Sequence, residues 1–213
     1  HHIRKDLSMT FSTVSQMFNH VTNEHLNREL YFYKKIGEWK GLSGREIRST
    51  VKDIAFGLQS LSIGKGSNVA LLSNNNPRWA MSDYGIILSG AATVSVYPTL
   101  IPIQVEHILT DSNSVVVFVE GQEQMEKITE IWDNCPKLTH AIVMDDSNIA
   151  SNDNIINFID FLDLGTKHEQ KTGSSLEDLV KKQEPDDLLT LIYTSGTTGN
   201  PKGVKLTHGN MMS

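Results

Sequence analysis

Residues 193–203 read Tyr-Thr-Ser-Gly-Thr-Thr-Gly-Asn-Pro-Lys-Gly. Three glycines, four Ser/Thr hydroxyls and one lysine fall within these eleven positions. Glycines at Gly196, Gly199 and Gly203 can take φ > 0 and turn backbone N–H groups toward a common point. Hydroxyls at Thr194, Ser195, Thr197 and Thr198 add donors that rotate to meet oxygen lone pairs. Lys202 closes the stretch with a positive charge. Donors converging with one cation suit a chain of phosphates. β-leaning runs flank the stretch at residues 188–193 and 203–207, which predicts a loop carried between two strands.

Two other readings of the loop are weaker. A Walker loop needs Gly-x-x-x-x-Gly-Lys-Ser/Thr leading into a helix. Here Lys202 precedes Gly203 and a strand-like run follows, so the kinase and GTPase pattern is not met. A Ser/Gly-rich turn with no ligand is the plainer alternative. Such a turn has no use for four hydroxyls and a lysine.

Thr-Ser-Gly-Thr-Thr-Gly-x-Pro-Lys-Gly followed by Val-x-Leu-Thr-His resembles the AMP-binding signature of the adenylate-forming acyl-CoA synthetases. The flanking Ile192-Tyr193 and Leu206-Thr207-His208-Gly209-Asn210 look most like the long-chain fatty acid–CoA ligases. Weaker likeness extends along most of the chain from about residue 10. It includes Ser73-Asn74-Asn75-Asn76-Pro77-Arg78-Trp79, Gly90-Ala91 and Val96-Tyr97-Pro98-Thr99. The resemblance implies ATP-dependent conversion of a carboxylic acid to acyl-AMP and then acyl-CoA, with ATP, Mg²⁺ and CoA taking part. It assigns the nucleotide phosphates to Thr194, Ser195, Gly196, Thr197, Thr198, Gly199 and Lys202, and a Mg²⁺ contact to Thr194. It also implies that the ribose-binding, further metal-binding and catalytic-lysine segments lie beyond Ser213. On that footing no catalytic residue falls in this chain, and the chain alone is expected to make no thioester. A nucleotide-binding protein that adenylates nothing is the rival from another class.

The rest of the sequence describes the scaffold. With 213 residues, 38% hydrophobic and 21% charged, the chain is long and apolar enough for a real core and is not of disordered type. A net charge of −6 argues against nucleic acid as a partner. The single cysteine, Cys135, excludes an intrachain disulfide and reads as a half-buried small side chain rather than a nucleophile. No apolar run reaches the ~18 residues of a spanning helix. A cytoplasmic protein is expected, with peripheral membrane contact and homo-oligomerisation left open.

His1 and His2 read as a tag remnant, so residues 1–9 are set aside and residues 10–213 are expected to form part of the large N-terminal AMP-binding domain. Apolar residues at Val14, Met17, Phe18 and Val21 predict a helix within residues 11–26. Residues 30–42 predict a hairpin turning at Gly37, with Leu30, Phe32, Tyr33 and Trp39 entering the core. Ser43 caps an amphipathic helix carrying Ile47, Val51, Ile54, Ala55, Leu58 and Leu61, with Glu46 completing a capping box. From residue 67, strand-like runs at 68–73, 93–97, 114–120 and 140–144 alternate with helical runs at 77–89, 102–109 and 123–132. Strands apolar on both faces and joined by helices predict an α/β fold with a mostly parallel sheet covered by helices.

Residues 145–171 are polar and interrupted, with a short helix at 155–164. Asp145, Asp146, Asp153, Asp160 and Asp163 there lack a metal-loop spacing and read as a solvated connection. Ser174-Ser175-Leu176-Glu177 opens another capped helix, which ends at Pro185. Asn210 is the expected N-cap of a last helix. The loop itself has few bulky side chains to pack it, so residues 197–201 are expected to order around phosphate. Amide hydrogen exchange across residues 195–201 should therefore slow when ATP is added. Equal exchange with saturating ATP would count against a ligand-ordered loop.

Overall fold

The computed structural model describes residues 10–145, 147, 149–194 and 200–213. Helix α1 (Val14–Glu24) is followed by a hairpin of β1 (Glu29–Lys35) and β2 (Glu38–Ser43), then α2 (Gly44–Ser60). Next come β3 (Asn68–Leu72), α3 (Pro77–Ser89), β4 (Ala92–Val96), α4 (Pro102–Asp111), β5 (Ser114–Val119) and α5 (Gln122–Ile131). A short 3₁₀ turn, Trp132–Asn134, leads to β6 (His140–Val143), β7 (Ile155–Asn157), α6 (Phe158–Thr172) and α7 (Leu176–Lys181). The chain closes with β8 (Leu188–Thr194), β9 (Lys202–Thr207) and α8 (His208–Met212).

Seven strands form one sheet in the order β7-β6-β5-β3-β4-β8-β9, parallel throughout except for β8 with β9. The expected α/β class is the observed one. Val69, Ala70, Leu71 and Leu72 on β3 and Val116, Val117, Phe118 and Val119 on β5 are fully buried. Each such aliphatic or aromatic side chain contributes about 1.5–3 kcal/mol on burial. Alternate residues serve the two faces. Val69, Leu71, Val116 and Phe118 meet α2, α3 and α6, whereas Ala70, Leu72, Val117 and Val119 meet α4 and α5.

Local signals in the sequence set several of these boundaries. The Ser43 hydroxyl accepts from the Glu46 N–H, and the Glu46 carboxylate accepts from the Ser43 N–H at 2.8 Å, so the capping box forms. Asn76 caps α3 through the Trp79 N–H at 2.9 Å, with Pro77 in its first turn. Gly90, at φ 94°, ends that helix in the left-handed region.

Elsewhere the fold departs from the sequence reading. Residues 155–164 are not one short helix. An edge strand, β7, extends the sheet, and the fifteen-residue α6 follows it and packs along α2. The hairpin forms, but Phe32 and Trp39 lie on its outward face and are 58% and 66% exposed rather than in the core. Phe32 and Tyr33 cannot share a face, because successive strand side chains point to opposite sides. Leu30, as expected, and with it Tyr31 and Leu42 are the residues packed inward. Thr207, not Asn210, caps α8, and the Asn210 side chain returns to accept from the Thr207 N–H at 3.0 Å. Cys135 is fully buried rather than half-buried. Burial, and then the charge of Glu106, push its thiol up to about 11, which leaves it unreactive at neutral pH. Among the described residues no helix is long and apolar enough to cross a membrane.

Helix α2 is held between its neighbours by glycines. Ile54 fills the space beside Gly85 of α3, and the ring of Phe161 lies where a Cβ on Gly57 would come within 2.8 Å. A Cβ on Gly165 of α6 would overlap the backbone carbonyl oxygen of Asp53. Backbone cannot rotate away as a side chain can. Gly165→Ala should therefore cost at least the roughly 1–3 kcal/mol of an overpacked core, read as a lower urea midpoint with an unchanged slope.

Helices α1 and α8 meet at His208, whose Nδ1 accepts the Val14 N–H of α1 at 3.1 Å. The imidazole is buried, and that burial lowers its pKa against the opposing pull of Asp187. Its folded pKa thus lies below the unfolded value of about 6.5. The stability it contributes is complete above that value and is lost as pH falls through the lowered folded pKa. Unfolding scans from pH 7.5 down to 5 should show Tm falling more steeply for the native chain than for His208→Gln. Identical pH profiles would remove His208 from the account.

Candidate functional site

At the site, the sequence pattern and the sheet topology converge. Strand β3 leads through α3 to β4 on one side, and β4 leads through α4 to β5 on the other side of β3. Reversal of winding opens a crevice at the carboxyl ends of the strands, the usual ligand position in open α/β sheets. A cleft of about 320 Å³ occupies that place, lined by Ser73, Asn75, Trp79, Ser95, Tyr97 and Ile192 among others.

Its first wall is the turn after β3. The Ser73 hydroxyl donates to the Asn74 carbonyl at 2.8 Å and accepts from Asn76 Nδ2 at 3.1 Å. The Glu120 carboxylate accepts from the Asn74 N–H at 3.0 Å and from Asn74 Nδ2 at 2.7 Å. Polar side chains thus satisfy a turn that has no strand partner, and Asn75 and Trp79 are left facing the cleft. The opposite wall follows β4, where Tyr97 is 70% exposed. Lys127 steadies the chain beyond it by donating to the Pro98 carbonyl at 2.5 Å.

The floor is read from the strand register. Ser95 of β4 lies beside Ile192 of β8, and Ile192 lies opposite Val204 of β9. Two residues further along β8, Thr194 lies opposite Lys202. Side chains two apart on a strand share a face about 7 Å apart. An apolar row therefore leads to a hydroxyl and an ammonium at the loop end of the β8–β9 pair, and both end residues are exposed. Thr194 and Lys202 are accordingly brought together next to the cleft. The other expected phosphate contacts, Ser195, Gly196, Thr197, Thr198 and Gly199, lie outside the described residues, as does most of the stretch 197–201 expected to order on binding.

Gly203 has a different use from the one its sequence suggests. It does not take positive φ; it sits in β9 beneath the ring of Tyr193, where a Cβ would lie 3.0 Å from the ring. Tyr193 is buried, and its hydroxyl donates to Oδ2 of Asp111 at 2.6 Å.

A Mg²⁺ ion takes oxygen ligands and commonly shares them with substrate phosphates. The Thr194 hydroxyl fits as one such ligand. Among the described residues no three His, Cys, Asp or Glu side chains are grouped to hold a metal ion, and Asp160 and Asp163 lie on α6 rather than in a connection. Sequence reasoning missed Asn75, Trp79, Tyr97 and Ile192 as cleft residues. The available signal was the run of asparagines at the carboxyl end of a buried parallel strand.

Comparison with known proteins agrees with this geometry. The AMP-binding enzyme family matches over residues 18–213. The long-chain-fatty-acid–CoA ligase ACSBG1 of Rattus norvegicus is 29% identical over 199 residues, covering 93% of this chain and 27% of that protein. Fatty acyl-CoA synthetase A of Dictyostelium discoideum is 32% identical over 196 residues, covering 87% of this chain and 27% of its own length. The chain therefore spans about a quarter of the length of these relatives.

Among solved structures, the anthranilate CoA ligase AuaEII in complex with anthranoyl-AMP superposes with a TM-score of 0.71 at 23% identity. That match covers 96% of this chain and 36% of that one. The N-terminal domain of FACL13 from Mycobacterium tuberculosis gives 0.71 at 25% identity, over 93% of this chain and 45% of that one. A phosphate-suited signature, a cleft at the switch point of a mostly parallel sheet and a match across nearly the whole chain lead to one conclusion: the chain belongs to the AMP-binding enzyme family.

Proposed function

We propose that this chain supplies the phosphate-holding part of an enzyme that activates a carboxylic acid, a long-chain fatty acid, with ATP and passes it to CoA. The observation that carries the reading is the pairing of Thr194 with Lys202, two residues along β8 from Ile192, which lines the cleft. Residues 10–213 would then form the first part of the large N-terminal domain of that enzyme.

In the first half-reaction a carboxylate oxygen attacks the α-phosphorus of ATP. The new O–P bond forms as the bond to pyrophosphate breaks, and negative charge moves onto the departing group. A carboxylate alone is a poor acyl donor; joined to AMP it gains a good leaving group. Lys202 stabilises the charge developing on pyrophosphate, and Thr194 with the hydroxyls and N–H groups of residues 195–199 holds the phosphates in line. Thr194 also offers one oxygen to a Mg²⁺ that arrives with ATP. In the second half-reaction the CoA thiol attacks the acyl carbon and AMP leaves.

ATP–pyrophosphate exchange with fatty acids of graded length, run on the full-length protein, tests this directly. Exchange dependent on a fatty acid is expected. Nucleotide binding with no exchange for any carboxylic acid would replace the enzyme by a non-catalytic nucleotide binder. Lys202→Ala should raise KM for ATP and slow adenylation while the protein stays folded. A charge-assisted phosphate contact of about 1.5–3 kcal/mol corresponds to roughly ten- to a hundredfold. Normal adenylation by Lys202→Ala would reduce Lys202 to a solvated strand end.

A further inference from the structure

Both stems of the phosphate segment are bonded to one helix. Tyr193, immediately before Thr194, donates its hydroxyl to Oδ2 of Asp111 at 2.6 Å. Pro201, immediately before Lys202, presents its carbonyl oxygen to Nε2 of His107 at 3.0 Å. A carbonyl only accepts, so the imidazole proton resides on Nε2. His107 and Asp111 are four residues apart on α4, which places them one turn apart on one face. The contacts span 82 and 94 residues of sequence, so neither is a by-product of local turn geometry. Their base is firm, because Val105, Ile108 and Leu109 of α4 are 0–2% exposed in the core. Burial, and then the nearby Asp111, keep the Tyr193 phenol protonated and therefore a donor at neutral pH.

We propose that His107 and Asp111 are positioning residues for nucleotide phosphate: through Pro201 and Tyr193 they fix where Lys202 and Thr194 stand relative to each other and to the cleft. This rests on the phosphate reading above. The need for such a clamp follows from the sheet. Among the described residues β9 pairs with β8 alone, and Thr194 and Lys202 form the last described pair of that ribbon. A ribbon end held on one side only frays, whereas charge-assisted contacts and in-line geometry tolerate little displacement. Helix α4 supplies the second restraint, one bond to each strand.

The test is ATP titration by calorimetry on the full-length protein, with thermal unfolding of every variant. His107→Ala and Asp111→Ala should each weaken ATP binding about three- to tenfold, the loss of one intramolecular hydrogen bond acting on placement. His107→Gln retains an N–H donor and should recover most of the affinity. His107→Ala should add little when Lys202→Ala is already present, because its effect passes through Lys202.

Loss of affinity in Lys202→Ala with unchanged affinity in both helix variants would overturn the clamp and leave the phosphate reading standing. Full additivity of His107→Ala with Lys202→Ala would also overturn it. So would a fall in Tm that His107→Gln does not repair, since that marks a purely structural contact. No ATP binding by the unaltered protein, or binding unaffected by Lys202→Ala, would remove the phosphate reading and the clamp with it. If Asp111→Ala fails to fold, the His107 variants decide.

Discussion

Burial of both faces of β3 and β5 is the constraint from which the rest of the structure follows. Eight consecutive-run side chains on these two strands, Val69 to Leu72 and Val116 to Val119, are fully buried. Such strands are stable only when helices cover each side. Parallel neighbours require crossover connections, and α3, α4 and α5 are those connections placed where the cover is needed. Parallel strands also end on the same edge of the sheet. The turns after β3 and β4 and the end of β8 are thereby gathered at one place, and the cleft lies there. The site is a consequence of how the core is covered.

Within the site, core packing and the cleft side fall on opposite faces of the same strand. Leu191 and Tyr193 point into the core shared with α4, whereas Ile192 and Thr194 point to the cleft side. Strand alternation makes this separation possible without extra residues. It also couples the two faces. Gly203 keeps β9 close to the Tyr193 ring, and Tyr193 reaches Asp111, so packing on the buried face sets the position of Thr194 on the open one.

Much of this was legible in the sequence where the signal was local. The Ser43–Glu46 box, the Asn76-Pro77 helix start and the apolar runs of β3, β4, β5 and β6 each depend on neighbours a few residues away. The signature marked Thr194 and Lys202 in the same way, through composition within a short window. What the sequence hid depends on distant partners. β7 is too short and too polar in its surroundings to announce itself, and it is a strand because β6 offers an edge. Phe32 and Trp39 look like core residues by type, yet the hairpin packs Leu30, Tyr31 and Leu42 against the core instead. Gly203 looks like a turn glycine until the Tyr193 ring is seen above it.

The adjacency of β8 and β4 has a bearing on how the protein reaches its native state. Thr93 on β4 pairs with Val69 on β3 and with Thr190 on β8, so one strand closes a short chain segment on one side and a long one on the other. From 69 to 93 and from 93 to 190 the separations differ by two doublings, which adds about 1.2 kcal/mol of closure entropy for a flexible chain. Non-local pairings of this kind come late in folding. The β3-α3-β4 unit can assemble from nearby contacts, and the strand that carries Thr194 docks onto a surface already in place. Thr194 is thus fitted to a scaffold built from nearer contacts.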